Sequence, residues 1–314
     1  MKRYKIVSSV VFVYIVLLFT GCSKNTIIFE DGWENPNSNN PDGKALVTFN
    51  AAVEDRNLLT RAMAPMKKGI QNQLYAFTST NGGEAKGIPY AEGLYITSAP
   101  GVLTGNDGYK MYLESGIYDF YAVSDNFSTI PPKFTSGQSE PLFNGIDYLW
   151  WHSPEQDIMS NQVNIPILYL HAATQVVFEV SGGSGINLNK LVSAMITPPE
   201  TGARMNLYTG IIPPASIYDK ADKMGINGLL AQYIMLPLKT TSPMSLTLEV
   251  MVNNESTSRI YSVNVPVPNG ELQSGDSYLF NAIIDENSVD FSQVSIKNWT
   301  EVDETGKPLY PTLK

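Results

Sequence analysis

The segment Lys44–Val53, which reads KALVTFNAAV, alternates apolar and polar side chains. In an extended chain, one face of this segment would carry Val47, Phe49, Ala51 and Val53. Thr48 and Asn50 would lie on the opposite face. A period of two residues is typical of a half-buried β-strand. The segment therefore predicts a strand with one face in a core.

The same pattern recurs along the chain and predicts an all-β fold. Further strand segments are Leu74–Thr78, Leu94–Thr97, Tyr109–Leu113, Ile117–Val123, Val163–Leu170, Gln175–Val180, Leu191–Thr197, Tyr233–Leu238, Leu246–Val252, Ile260–Val267, Tyr278–Ile284 and Val294–Trp299. Between strands lie pairs that favour hairpin turns: Asn81-Gly82, Asp107-Gly108, Asn144-Gly145, Asn227-Gly228 and Asn269-Gly270. The best candidate for a helix is Asp219–Gln232, although Gly225 and Gly228 weaken it.

The chain is long enough for two cores. Its 314 residues are 43% hydrophobic, which suits two β-sandwich domains. A polar stretch between Pro154 and Val163 precedes a new run of strands. We therefore expect an N-terminal domain over residues 44–158 and a C-terminal domain over residues 159–314.

The first residues predict a secretion signal and a lipid anchor. Lys2, Arg3 and Lys5 precede an apolar run over residues 6–20, which is short for a membrane span. Thr20-Gly21-Cys22 resembles the lipobox of a bacterial lipoprotein. On this interpretation residues 1–21 are a signal peptide, Cys22 is lipidated, and residues 22–43 form a flexible tether. The alternative is an ordinary signal peptide or membrane anchor with an incidental cysteine.

The charge and the cysteine content exclude several classes of protein. Loss of residues 1–21 removes three positive charges and takes the net charge from −9 to −12. Nucleic-acid binding requires basic surfaces, so an acidic chain argues against it. Cys22 is the only cysteine, so no disulfide stabilises the mature chain.

Catalytic and metal-binding patterns are missing from the sequence, which predicts a protein that is not an enzyme and needs no cofactor. The only histidines, His152 and His171, do not have metal-ligand spacing, and no nucleophile elbow occurs. We expect His171 to be structural. Trp150 and Trp151 are expected to pack in a core or turn. The alternative is an exposed platform that stacks on sugars.

Several short motifs, in order along the chain, resemble the fimbrillin family. These motifs are Val47-Thr48-Phe49-Asn50-Ala51, Leu58-Leu59-Thr60-Arg61-Ala62, Gly116–Val123 (GIYDFYAV), Leu170–Val176 (LHAATQV) and Val294–Glu301 (VSIKNWTE). Members of this family are lipoprotein precursors of type V pilus subunits in Gram-negative gut and oral anaerobes. The likeness spans most of residues 44–302.

The resemblance implies two tandem transthyretin-like β-sandwich domains and a structural or adhesive role in a surface fimbria. It implies an outer-membrane lipoprotein that carries acyl chains such as palmitate on Cys22. It also implies that a trypsin-like protease cuts between Arg61 and Ala62, with Arg56 as a second candidate site. The cut would remove the first strand, and a strand of another fimbrial subunit would fill the groove. Host glycans or proteins are possible adhesion ligands.

Two questions stay open at the level of sequence. The segment Asp303–Lys314 contains Gly306, Pro308 and Pro311, which makes it a poor donor strand, so shaft, tip and anchor roles all remain. The rival class is a surface lipoprotein that binds glycans beside an outer-membrane importer, with Trp150 and Trp151 as its platform. Arg61 favours the fimbrial class, because a glycan binder has no need of a cleavable arginine after its first strand.

The lipid anchor is testable with one substitution. Cys22→Ala should release the protein from membranes or stall it as a precursor, because the acyl chains supply the anchoring free energy. Partition of a membrane extract between detergent and aqueous phases measures this effect. Ser23→Ala is the matched control and should stay in the detergent phase. A Cys22→Ala variant that also stays there would contradict lipidation.

Overall fold

The computed structural model describes residues 43–54, 63–79, 87–297 and 299, with Gln293 described for its backbone only. Among these residues there are strands, turns and two three-residue 3-10 turns, and no α-helix. The prediction of an all-β, β-sandwich fold is therefore confirmed. Two of the turn pairs predicted from sequence have positive φ at both residues: Asp107 and Gly108 have φ of 51° and 78°, and Asn269 and Gly270 have φ of 53° and 73°. The pair Asn81-Gly82 lies outside the described residues.

The first group of strands forms one nine-stranded sheet. These strands are β1 (Ala45–Glu54), β2 (Met63–Pro65), β3 (Gln71–Thr78), β4 (Ala91–Ala99), β5 (Val102–Gly105), β6 (Met111–Leu113), β7 (Gly116–Ser124), β10 (Leu149–Ile158) and β11 (Gln162–His171). The hydrogen-bonded order is β11-β10-β7-β3-β4-β5-β1-β2, and β6 also pairs with β1. A further pairing between β1 and β11 closes the sheet on itself.

The closed sheet surrounds a core to which β1 contributes directly. The Phe49 ring of β1 reaches across the core to Phe120 of β7, which is not its neighbour in the sheet. Other buried members of this core are Val47, Ala51, Leu74, Met111, Leu113, Leu149, Ile165, Ile167 and Tyr169. The alternation of residues 44–53 therefore predicted the buried face of β1 correctly.

The second group of strands forms two sheets that face each other. One contains β12 (Thr174–Gly182), β15 (Gly225–Asn227), β16 (Leu230–Met235), β21 (Ser277–Ile284) and β22 (Val289–Lys297). The other contains β13 (Leu188–Ile196), β14 (Asp222–Lys223), β18 (Met244–Val252) and β19 (Arg259–Val265). Side chains from both sheets, such as Phe178, Phe280, Leu246 and Val250, are fully buried between them. This arrangement is a β-sandwich.

Four short strands form two separate pairs. β8 (Phe134–Thr135) pairs with β9 (Gln138–Ser139), and β17 (Leu238–Lys239) pairs with β20 (Glu271–Leu272). A third apolar cluster packs on the outer face of the first sheet at Tyr75 and Tyr121, and it includes Leu207, Ile212 and Ile234 from the later half of the chain. The two groups of strands are therefore in direct apolar contact.

The pairing changes from the first group to the second between His171 and Thr174. The boundary expected from sequence, between residues 158 and 159, lies in the turn between β10 and β11, and both of these strands belong to the first sheet. The division into two domains stays a prediction.

The helix considered for Asp219–Gln232 was wrong. This segment contains β14, β15 and the start of β16. Gly228 has φ of 59° and lies in the turn that joins β15 to β16, where Asn227 pairs with Leu230. Gly228, which weakens a helix, serves here as a turn residue, and Gly225 begins β15.

The buried face of β1 gives a prediction of stability. Phe49→Ala should lower the free energy of unfolding by about 3–5 kcal/mol, because it removes a ring from a closely packed core and leaves a cavity. Chemical denaturation measures the change.

Thr48→Ala is the matched control on the opposite face of β1. Its hydroxyl makes only long hydrogen bonds, 3.4 Å to the Val163 carbonyl and 3.2 Å to Asn164 Oδ1. Its loss should cost less than about 1 kcal/mol. Equal effects of the two substitutions would contradict the assigned faces of β1.

Candidate functional site

The most distinctive feature of the fold is that β1 is bonded to strands on both sides. On one side it runs parallel to β11, from the pair Leu46–Gln162 to the pair Val53–Tyr169. The Leu46 amide donates to the Asn161 carbonyl at 2.9 Å, next to the start of this pairing. We call the space that β1 fills, between β11 and the strands on its other side, the slot.

The other side of the slot is formed by three short strands in succession. β6 pairs with Ala45–Val47, β5 pairs with Asn50, and β2 pairs with Ala52–Glu54, all antiparallel. Two backbone hydrogen bonds complete this side: Ala51 donates to the Gly101 carbonyl at 2.8 Å, and Met66 donates to the Ala51 carbonyl at 3.0 Å. Backbone groups of β1 therefore form hydrogen bonds with neighbours on both sides of the strand.

The floor of the slot is apolar and is occupied by alternate side chains of β1. Val47 is 2% exposed, and Phe49 and Ala51 are each 1% exposed. The Phe49 ring meets Tyr95 edge-on, with 5.4 Å between ring centres and 80° between planes. Ile165 and Ile167 of β11 pair with Phe49 and Ala51 and are also buried. Removal of β1 would therefore expose a continuous apolar cleft.

Residues 55–62 are the covalent connection between β1 and the other described strands. Glu54 pairs with Met63 where β1 meets β2, so this connection links two antiparallel neighbours. The predicted cleavage site, Arg61 and Ala62, lies within it, as does Arg56. These residues, and the predicted lipidation site Cys22, lie outside the described residues. A cut anywhere in the connection would leave β1 held by non-covalent contacts alone.

His171 has a structural role, as expected. Its Nδ1 lies 2.7 Å from Asp147 Oδ1, and both side chains are more than nine-tenths buried. Asn126 donates to the other oxygen of Asp147 at 2.8 Å. The His171 ring stacks on Trp299 at 3.9 Å, and the Trp299 indole donates to the Gly275 carbonyl at 2.9 Å. Two of the motifs quoted above, around His171 and Trp299, thus contact each other.

Trp150 and Trp151 do not form an exposed platform. They lie in β10 rather than in a turn, and Trp151 is buried in the first core. Trp150 donates its indole N–H to the Leu207 carbonyl at 2.7 Å and covers Gly210 so closely that a Cβ added there would lie 2.4 Å from the indole. Both tryptophan side chains therefore pack against the rest of the protein, as the sequence predicted.

His152 stacks on Tyr121 with 4.3 Å between ring centres and 4° between planes. Its Nε2 is buried without a hydrogen-bond partner. Burial lowers the pKa of His152 below its ordinary value of 6.5, and the nearby Asp119 carboxylate opposes this shift. The ring is therefore held neutral among aromatic neighbours.

Within the described residues, no group of three or more His, Cys, Asp or Glu side chains is placed to hold a metal ion. The same residues contain no helix that is both long and apolar enough to cross a membrane.

A family model described as fimbrillin-like matches residues 60–299, which is most of the chain. The chain belongs to this fimbrillin-like family. The match begins six residues after the end of β1 and one residue before Arg61. The resemblance drawn from the sequence is thereby confirmed. The chain has no significant match among curated proteins.

Solved structures share the fold of this fimbrillin-like chain. A candidate cell adhesion protein from Bacteroides uniformis is 17% identical with a TM-score of 0.58, and the alignment covers 82% of this chain and all of the other. One from Bacteroides ovatus is 15% identical with a TM-score of 0.60, covering 83% and 99%. One from Bacteroides fragilis is 14% identical with a TM-score of 0.55, covering 82% and 99%.

Sequence reasoning found β1 and, next to it, β6 and β11, but it missed β2 and β5. β2 and β5 are only three and four residues long, too short for a periodic pattern. The pairing of β1 with β11 joins residues that are more than a hundred positions apart, and no local signal reports it.

The buried neutral state of His152 predicts a dependence of stability on pH. A lowered pKa in the folded state means that the unfolded chain binds a proton first, so stability is present above pH 6.5 and falls as the pH drops below it. His152→Phe keeps an aromatic ring on Tyr121 and removes the titration. The drop in melting temperature between pH 7.5 and pH 5 should therefore be smaller in the variant. Equal drops in the melting temperatures of the native protein and the variant would show that the pKa of His152 is the same in the folded and unfolded states.

Proposed function

We propose that this protein is a structural or adhesive subunit of a surface fimbria, assembled by strand donation after removal of β1. The observation that carries the proposal is the slot: β1 has backbone partners on both sides and an apolar buried face, and residues 55–62 are its covalent connection to the other described strands. Membership of the fimbrillin-like family supports the same role. The candidate cell adhesion proteins that share the fold are compatible with it.

The proposed order of events begins at the membrane. After removal of residues 1–21, acyl chains on Cys22 hold the precursor at the outer membrane through the tether over residues 22–43. The precursor is stable there because β1 fills its own slot. A trypsin-like protease then cuts between Arg61 and Ala62. The lipid, the tether and β1 are thereby separated from the rest of the chain.

The energetics favour refilling of an opened slot. Each buried Val or Phe side chain contributes about 1.5–3 kcal/mol, and loss of β1 exposes the apolar floor against which Val47 and Phe49 packed. Unpaired backbone groups along β11, β5 and β6 add a further penalty where water is excluded. A strand from another subunit restores both the hydrogen bonds and the core. A heterologous contact of this kind builds filaments when its rotation does not close into a ring.

We also propose that the chain contains two tandem transthyretin-like domains. The change in strand pairing between His171 and Thr174 supports a boundary there, later than the one between residues 158 and 159. The glycan-binding alternative has less support, because Trp151 is buried and the Trp150 indole N–H is already bonded to Leu207.

Removal of the cleavage site tests the proposed maturation. Arg61→Ala should keep β1 attached, so that the protein accumulates at the cell surface as a lipidated precursor that does not enter fibres. Sequencing the N-terminus of protein recovered from intact cells measures this directly: the native chain should begin at Ala62, and the variant should not.

Arg56→Ala is the matched control, since it lies in the same connection between β1 and β2. It should mature and assemble as the native chain does. Fibres of normal length that contain uncut Arg61→Ala protein would overturn the proposal.

A further inference from the structure

We propose that Asn227 is a site of spontaneous modification, at which the side-chain amide is lost and part of the product is isoaspartate. Asn-Gly pairs form turns, and they are also the sequence in which asparagine loses its amide most readily, because glycine has no side chain to hinder the reaction. The described residues contain three such pairs, at Asn144, Asn227 and Asn269, and the fold places them in three different environments. The reaction needs no partner protein, so it is independent of strand donation.

The reaction needs only the two residues and water. The backbone nitrogen of the glycine loses its proton, attacks Cγ of the asparagine and forms a bond to it. The bond between Cγ and Nδ2 breaks, and this nitrogen leaves as ammonia, so that a five-membered succinimide ring remains. Water then opens the ring at either carbonyl carbon and gives aspartate or isoaspartate. The asparagine side chain must therefore be free to turn towards the glycine, and the glycine amide must be free of a strong hydrogen bond.

Asn227 meets both requirements. Its side chain is exposed and has no hydrogen-bond partner among the described residues. The Gly228 amide donates to no carbonyl of the described chain. A Cβ added to Gly228 would meet no atom within 4 Å, so there is room beside this residue for the ring to form.

The position of Asn227 in its sheet favours the movement that the reaction requires. Asn227 is the last residue of β15, a strand of three residues at the edge of the sheet. Ring formation draws its backbone out of the extended conformation and breaks its pairing with Leu230. A short edge strand opens locally at a low free-energy cost, because few hydrogen bonds and apolar contacts are lost.

Asn144 also precedes a glycine, but the fold protects it. Its Nδ2 donates to the Pro199 carbonyl at 2.7 Å, its Oδ1 accepts from the Leu236 amide at 2.9 Å, and the residue is only 8% exposed. The Gly145 amide donates to the Ile234 carbonyl at 2.7 Å. Attack on Asn144 would break all three bonds and leave buried backbone groups without partners. Asn144 therefore reacts only when this contact between the two groups of strands opens.

Asn269 lies between these extremes. Its side chain is exposed and has no hydrogen-bond partner in the described part of the chain. The Gly270 amide, however, donates to the Val267 carbonyl at 3.1 Å, and the Gly270 carbonyl accepts from the Thr240 amide at 2.9 Å. Both backbone groups of the glycine are thus held in place. We expect the order of reactivity to be Asn227, then Asn269, then Asn144.

The modified turn differs from the original in charge and in backbone length. Either product adds one negative charge on the same face as the exposed Glu179, since Glu179 pairs with Leu230 and Leu230 pairs with Asn227. Isoaspartate also adds a carbon atom to the backbone before Gly228, so the pairing of β15 with β16 loses its register. Modification of Asn227 therefore loosens β15 from the edge of the sheet.

Timed incubation followed by mass spectrometry tests the proposal. The folded protein is held at pH 8.5 and 37 °C, where the glycine amide loses its proton more readily, and samples are digested at acidic pH to stop the reaction. The gain in mass of each Asn-Gly peptide gives its rate, and electron-based fragmentation distinguishes isoaspartate from aspartate. Asn227→Gln is the control variant, because its longer side chain cannot form a five-membered ring with the next amide. A parallel incubation in guanidinium chloride measures the same pairs without the fold.

In the folded protein, Asn227 should react first and give both products, and Asn144 should react at least about 100-fold more slowly, because it needs a local opening. In guanidinium chloride the three pairs should react at similar rates. The Asn227→Gln variant should lack the acidic species that appears first on ion exchange. The proposal is overturned if Asn227 stays intact in the folded protein while the unfolded chain reacts, or if Asn269 or Asn144 reacts before it. Slow reaction of Asn144 in guanidinium chloride would likewise overturn the protection assigned to the fold.

Discussion

The structure depends on the pairing of one strand with two sets of neighbours. Among the described strands, β1 alone pairs with both β11 and the three short strands β2, β5 and β6, and it closes the first sheet around its core. A strand at the edge of a sheet contributes one row of hydrogen bonds, whereas β1 contributes two rows and a buried face as well. The first core is therefore complete only while this position is filled, whatever chain fills it.

The later half of the chain does not share this dependence. Its two sheets bury Phe178, Phe280, Leu246 and Val250 against each other without any residue of β1. The third cluster, around Tyr121 and Leu207, and the stack of His171 on Trp299 fasten this sandwich to the first sheet. Opening of the slot would thus act on one core and leave the other as a stable platform.

The sequence predicted the elements of the fold better than their arrangement. Alternation identified β1, β11 and β18, and the Asp-Gly and Asn-Gly pairs marked real turns, because both signals are local. β10 was not predicted from the sequence, because Pro154 interrupts its pattern and Glu155 adopts a left-handed φ of 51° at a bulge. β2 and β5, beside the slot, have too few residues for a pattern. The slot itself arises from pairing between distant segments. Composition and periodicity could therefore predict that β1 has a buried face, but they could not predict which strands lie beside it.

The parallel pairing of β1 with β11 has a consequence for how the protein folds. The Thr48 hydroxyl and the Val163 carbonyl to which it bonds are separated by 115 residues, so β1 cannot pair with β11 until the whole first half of the chain has been synthesised. Contacts of such high sequence separation slow folding. During synthesis, β1 therefore precedes its partner strand, and its apolar face is at risk of aggregation until β11 is available.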